Sequence, residues 1–395
     1  MVKRIEQKYT SDCIESNGIT APTALSILKT IFLSLLVAVV PLMAPAQTIN
    51  DPLAQQTILK ALDHIYSLEF SESDALIRQL QNRYPQNPAA YVLRATQLDI
   101  QHLPLAENKA ATAQFVQAVE QGLQLSKRML DKNEDDPEAI FFMLTCHSYM
   151  AMLYNNQGES LKAVGESKKA YSYLRDGFKL MEKNPDFYFT TGLYNYYVER
   201  YPIDHPIVRP FMVFFADGDI PLGIRQMDVA TRKAVFMRPV ANYYLAHLLM
   251  KHETNPAKAA GYTKYLVDKY PNNPLFAMSY AESLLLAGRY AEARPYVQRL
   301  KQMPNKLVPL AYHTFSGMLA EHLDKDDKEA AEYYNQSLKL PYNDPYTKEY
   351  LAFAYAGLAR IAARNNDSNR AKMYYKKALS IGEYKSLIKE AKTYK

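Results

Sequence analysis

From Asp51 onward, apolar residues recur three and four positions apart and are cut by short clusters of Pro, Asn and Asp. That spacing puts the apolar side chains on one face of a helix. The cuts fall at Tyr84-Pro85-Gln86-Asn87-Pro88, Asn133 to Pro137, Asn184-Pro185, Tyr270-Pro271-Asn272-Asn273-Pro274, Met303-Pro304 and Leu340 to Pro345. Proline cannot continue a helix and pushes the residue before it out of helical geometry. Asn and Asp accept from the free amides of the helix that follows. Each cut therefore closes one helix and opens the next. No alternating strand pattern of useful length is present.

The C-terminal half divides into helix pairs. The expected pairs are Arg238 to Met250 with Pro256 to Lys269, and Pro274 to Ala287 with Tyr290 to Gln302. Leu307 to His322 with Asp327 to Leu340 and Tyr346 to Arg364 with Ser368 to Ile381 follow. Ala259, Ala293, Ala330 and Ala371 hold equivalent places on the second helices, at steps of 34, 37 and 41 residues. Ala330-x-x-Tyr333-Tyr334-x-x-x-Leu338 nearly repeats as Ala371-x-x-Tyr374-Tyr375-x-x-x-Leu379. Ala246, Ala281, Gly317 and Ala359 are the small residues of the first helices, where paired helices must approach closely. A two-helix unit with a period near 34 predicts a stacked array, which grows by burying each unit against its neighbours.

The block Leu284 to Tyr296, with Ala-Gly-Arg-Tyr-Ala-Glu-Ala at its centre, resembles a tetratricopeptide repeat. So does Tyr355 to Ile361 followed by Ala371-x-x-x-Tyr375-x-x-Ala378. The resemblance is good over 238–382 and looser over 53–200, where helix pairs at about 88–132 and 137–183 are longer than a standard repeat. Tyr355 and Ala277 stand where the family usually has Trp. The resemblance implies an all-α, right-handed α-solenoid of seven to eight helix pairs. Between the two halves, Gly192, Asn195, Pro202, Gly218-Asp219 and Gly223 form an atypical central unit, similar in pattern to Iml2-like (TPR 39) proteins. The expected organisation is a signal peptide at 1–46, N-terminal helix pairs at 47–200, the central unit at 201–237, repeats at 238–382 and a tail at 383–395.

The leader carries Lys3, Arg4 and Lys8, an apolar run from Thr30 to Met43, and Ala44-Pro45-Ala46 before Gln47. This is the pattern of an export signal cleaved after Ala46. The run is short of the ~20 residues that span a bilayer. A periplasmic protein with no membrane span after cleavage is expected. Cys13 precedes the apolar run, so no lipid-anchoring cysteine follows it, and Cys146 is the single thiol of the mature chain.

The net charge is +6, from 47 basic and 41 acidic residues with the signs interspersed, which is no nucleic-acid footprint. Tyr reaches 32 and Trp is absent. No phosphate loop, zinc-protease or nucleophile-elbow motif occurs, so no catalytic residue, metal or cofactor is assigned. Cys146-His147 are adjacent on a helix and do not face each other. Cys146 is expected as a small buried residue. Asp204, His205, Asp217 and Asp219 could be imagined as a metal-dependent hydrolase site, but Asp219 is better placed to cap the helix opening at Ile220-Pro221. The aromatic run Phe187 to Tyr197, with Phe211 to Phe215, is expected mainly as core.

The remaining candidate site is a concave groove lined by first helices. By register, Tyr243, His247, Met278, Glu282, Thr314, Met318 and Arg360 point inward and would meet a protein or peptide partner. These residue types do not make the carboxylate clamp that some members of the family use for chaperone tails, which needs Lys or Arg with Asn. The expected function is an exported, non-catalytic scaffold. A glycan- or small-molecule-binding envelope protein is the alternative.

Overall fold

A computed structural model describes residues 51–204, 206, 209, 215–343 and 346–394. The expected export signal, and with it Cys13, lies outside the described residues, as do His205, Phe211 to Phe214 and Pro345.

Seventeen α-helices and no strands occur among the described residues. The N-terminal half contains α1 (Pro52–Tyr66), α2 (Phe70–Arg83), α3 (Ala89–Gln101), α4 (Lys109–Leu130), α5 (Pro137–Asn156) and α6 (Ser160–Leu180). The central pair is α7 (Phe187–Asp204) and α8 (Ile220–Lys233). The C-terminal half contains α9 (Arg238–Lys251), α10 (Pro256–Lys269), α11 (Pro274–Leu286), α12 (Tyr290–Leu300), α13 (Val308–Leu319), α14 (Asp327–Ser337), α15 (Lys348–Arg364) and α16 (Ser368–Ile381). These make eight antiparallel pairs. A last helix, α17 (Lys385–Thr393), occupies the segment expected as a tail and packs on α15 and α16.

The punctuation acts as expected. Asp51, Asp136 and Asn273 each accept from two amides of the helix they open, and a proline follows each in the first turn. Asp326 also accepts from two amides, and Asn108, Asn255 and Asp367 accept from one each. The third pair of the C-terminal half departs from expectation. α13 stops at Leu319, and Ala320–Asp324 forms a π turn closed by Lys325 at φ 58.

The two helices of a repeat are buried differently. α11 packs against α10, α12 and the first helices α9 and α13, so nearly its whole circumference is covered. α12 and α16 show the core one stripe each. Ala259, Ala293, Ala330 and Ala371 are fully buried, as are Ala246, Ala281 and Ala359. A small side chain at these places lets the helix backbones close together, and beside Ala330 and Ala371 the bulk comes from Tyr334 and Tyr375 one turn away. Tyr334 shows this most sharply. Its ring fills the space that a side chain at Gly317 or Gly357 would need.

The central pair uses closer contact still. A Cβ on Gly192 would lie 2.8 Å from the Gly223 carbonyl oxygen, and one on Gly223 would lie 2.6 Å from the Gly192 carbonyl oxygen. α7 and α8 thus cross backbone to backbone, which explains why this unit lacks the alanine pattern of the others.

The array also curls back on itself. Tyr66 at the end of α1 packs its ring against Tyr270 and Phe276, each at 5.6 Å between centroids. Asn273 donates to the Tyr66 carbonyl at 3.0 Å, Tyr270 donates to Asp63 at 2.8 Å, and Lys269 pairs with Asp63 at 2.6 Å. The first helix pair therefore touches the fifth and sixth, and the first helices enclose a concave interior.

Candidate functional site

Three of the groove residues converge. Tyr243 and His247, one turn apart on α9, stack with ring centroids 6.5 Å apart and planes 14° off parallel. Across from them Glu282 of α11 faces the same cavity of about 220 Å³. Ser279, one turn before Glu282, shares that wall. The opposite wall is Tyr346, Lys348, Glu349 and Tyr350 at the start of α15, with Glu383 and Tyr384 between α16 and α17. Lys251, one turn beyond His247, completes it.

The charges in this cavity are unevenly paired. Lys251 sits 2.5 Å from Glu383 and 3.5 Å from Glu349, and Lys348 sits 2.9 Å from Glu383. Burial works against the Glu383 charge, but the two ammonium groups outweigh it and hold this carboxyl down at about 2. Glu282 has no such partner among the described residues. It is 4% exposed, and it accepts from the Tyr350 hydroxyl at 3.1 Å and from the Tyr384 hydroxyl. Burial lifts its carboxyl to about 7 against those two bonds. Burial raises Glu349 as well. His247 is pushed down to about 3, first by burial and then by Lys251, so its imidazole is neutral at pH 7. The Tyr384 ring meets it edge-on at 6.0 Å.

The concave surface continues from this cavity. Tyr244 is 39% exposed. Burial, and then the field of Asp99 on α3, raise the phenols of both Tyr244 and Tyr346. Burial lifts Asp99 itself to about 6. Tyr149 of α5 bonds the Thr96 hydroxyl at 2.8 Å, and burial raises its phenol.

The other expected groove residues lie elsewhere. Met278 is 0% exposed and sits in the core. Thr314 is fully buried and donates to Ser337 at 3.0 Å and to the Tyr350 carbonyl at 3.2 Å. Met318 is buried. Arg360 is spent on Glu321, at 2.7 and 2.8 Å, and on Glu390 at 3.0 Å. Helical register puts all seven residues toward the inside. On α11 and α13 that inside is packed by neighbouring helices, so Met278, Thr314 and Met318 offer no surface to a partner.

The residues that sequence reasoning missed fall into two groups. Lys251 continues the Tyr243, His247 row by one more turn, so its place was readable. Glu349, Glu383 and Tyr384 come from segments more than 95 residues away, and no local signal ties them to α9.

Elsewhere, Asp219 caps α8 by accepting from the Leu222 amide at 2.7 Å. Asp204 points to His252 at 3.3 Å and to Lys385. No group of three His, Cys, Asp or Glu side chains among the described residues could hold a metal. Cys146 is fully buried and its thiol is pushed up to about 12 by that burial. His147 instead meets Glu166 at 2.6 Å. Phe187, Phe189 and Tyr196 are core, and Phe215 is exposed. No helix of the described residues is long and apolar enough to cross a membrane.

Neither a family profile nor a curated protein matches the chain. Likeness is found among solved structures. A tetratricopeptide repeat protein from Parabacteroides merdae is 15% identical, covering 76% of this chain and 98% of that one, with a TM-score of 0.32. Yeast Tom70 is 14% identical over 93% of this chain and 78% of its own, with a TM-score of 0.37. The C-terminal part of a TPR repeat-containing protein from Cytophaga hutchinsonii is 16% identical over 84% of this chain and 98% of its own, with a TM-score of 0.25. The resemblance of the central unit to Iml2-like proteins finds no support in these likenesses. The helix pairs, their buried alanines and their stacking give the chain the architecture of an all-α solenoid, similar in fold to tetratricopeptide repeats.

Proposed function

We propose that this protein is an exported, non-catalytic scaffold that holds a protein or peptide segment on its concave inner face, in the periplasm. The reading is carried by the α9 row, where Tyr243 and His247 share a cavity with Glu282 and Tyr346, and Tyr244 is exposed next to Tyr243. Tyrosines supply broad, stiff contact area with a hydrogen-bonding end. A surface already formed by packed helices costs little to order on binding. The binding residues are Tyr243, Tyr244 and His247, with Glu282 at the bottom of the cavity beside them. Export rests on the leader pattern from Lys3 to Ala46.

The test is site-specific photo-crosslinking in cells. A photoreactive residue in place of Tyr244 should capture a partner. One in place of Met373, exposed on α16, serves as the control. Capture at Met373 and none at Tyr244 would move the site off the concave face. Cell fractionation, with the N-terminus of the mature protein sequenced, tests export: a product beginning at Gln47 in the periplasmic fraction is expected.

A further inference from the structure

The cavity beside α9 has three features that belong together. Its charged side chains are Glu282, Glu349 and Glu383 against Lys251 and Lys348, an excess of one carboxylate. Both lysines turn to Glu383, and Lys251 also reaches Glu349, so Glu282 is the carboxyl of the three with no cation at ion-pair distance among the described residues and feels Lys251 only from farther off. The Glu282 carboxylate is held in place by two phenols that donate to it and cannot neutralise it. A buried carboxylate without a cation is costly, and it is relieved either by taking up a proton or by a counter-charge brought alongside.

The walls suit one kind of counter-charge. Tyr243, His247 and Tyr384 present aromatic rings to the space, and such rings attract an ammonium through their faces. The neutral His247 ring keeps one nitrogen able to accept, and neither nitrogen has a hydrogen-bond partner among the described residues. At about 220 Å³ the space takes a single side chain or a small molecule and excludes a folded segment.

We propose that this cavity binds an alkylammonium group, with Glu282 as its counter-ion and Tyr243, His247 and Tyr384 as its walls. The proposal gives the chemistry of one subsite on the concave face and rests on that face being the binding surface. The ammonium is carried either by a free small amine or by a lysine side chain of the bound segment.

Calorimetric titration of the purified protein with butylammonium chloride, and separately with 1-butanol, tests this without any variant. The ammonium should bind at least about tenfold more tightly than the alcohol, and Glu282→Gln should lose about the same factor. A capped Gly-Lys-Gly peptide, compared with its norleucine counterpart, decides the source. Tighter binding than butylammonium assigns the group to a lysine side chain, and weaker binding assigns it to a free amine. Equal binding of amine and alcohol, or no heat from the amine, overturns the proposal, as does full affinity in a folded Glu282→Gln protein. Partner crosslinking at Tyr244 that persists in Glu282→Gln, with no amine binding to wild type, would sink the subsite while leaving the concave scaffold standing.

Discussion

The Asn273 side-chain amide donates to the carbonyl oxygen of Tyr66 at 3.0 Å, across 207 residues of sequence. The same side chain accepts from the Leu275 amide at 3.0 Å and the Phe276 amide at 3.3 Å, so one residue both caps α11 and clasps α1 to it. Asn273→Ala removes both, and the expected loss is about 2 kcal/mol in urea unfolding. Asn273→Asp keeps the cap and removes the clasp donor, so it should fall between wild type and Asn273→Ala. Equal stability of the alanine variant and wild type would show that the closure contributes nothing.

Tyr334 is held between two glycines. A Cβ at Gly357 would come 2.2 Å from the Tyr334 ring, and one at Gly317 would come 2.6 Å from it. Gly357→Ala should destabilise the protein by roughly 1–3 kcal/mol through overpacking. Gly165, exposed within α6, has nothing within 4 Å of a built Cβ. There Gly165→Ala should stabilise by up to about 1 kcal/mol, the ordinary helix gain. The opposite signs, read as shifts in thermal midpoint, separate local packing from helix propensity.

Arg360 is a stability residue. Glu321 is buried, which alone would raise its carboxyl. Arg360 outweighs that, with help from the Tyr334 hydroxyl at 2.8 Å, and the carboxyl falls to about 2. Its ordinary value is 4.5. A carboxyl lowered by folding contributes stability that is present above its ordinary value and lost as pH falls through the folded one. The stability gap between wild type and Glu321→Gln should therefore be open at pH 7, at about 3 kcal/mol, and close between pH 4.5 and 2. A gap that does not depend on pH would contradict the assignment.

Glu282 carries the reverse sign. Burial raises its folded value to about 7 from 4.5. Between those values the folded protein holds a proton that the unfolded chain has released, so stability falls as pH rises through this window. Glu282→Gln removes that loss. It should match wild type near pH 4.5 and exceed it in thermal midpoint at pH 8, while losing amine binding. A variant less stable than wild type at pH 8 would mean that the Tyr350 and Tyr384 bonds need the charge.

The fold was largely readable because its determinants are local. Caps at Asp136, Asn255 and Asn273 sit within three residues of the amides they satisfy. The recurring alanines mark contacts between helices adjacent in sequence. The bounds of α10 and α16 fall where the apolar spacing and the flanking Asn255-Pro256 and Asp367-Ser368 put them. The end of α13 is not legible in the sequence because the π turn at Ala320–Asp324 keeps helix-like composition while changing its hydrogen bonding.

The candidate site was only partly readable. Register placed Tyr243, His247 and Glu282 on the inside, and they do share a cavity. Register also placed Met278, Thr314 and Met318 there, and they are buried. The difference is whether a neighbouring helix covers that side, and no single helix sequence carries that information.

The chain's own pattern of alanines, tyrosines, prolines and caps determined that it would form stacked helix pairs, since each pair is built from contacts within about 40 residues. The tertiary structure decided that α1 would meet α10 and α11, and that Glu349, Glu383 and Tyr384 would close a cavity around Glu282. Those contacts depend on the small rotation between successive pairs, summed over two to five such steps. A slight change at each step moves the ends by many ångströms, and for that reason the curvature is a property of the packed array.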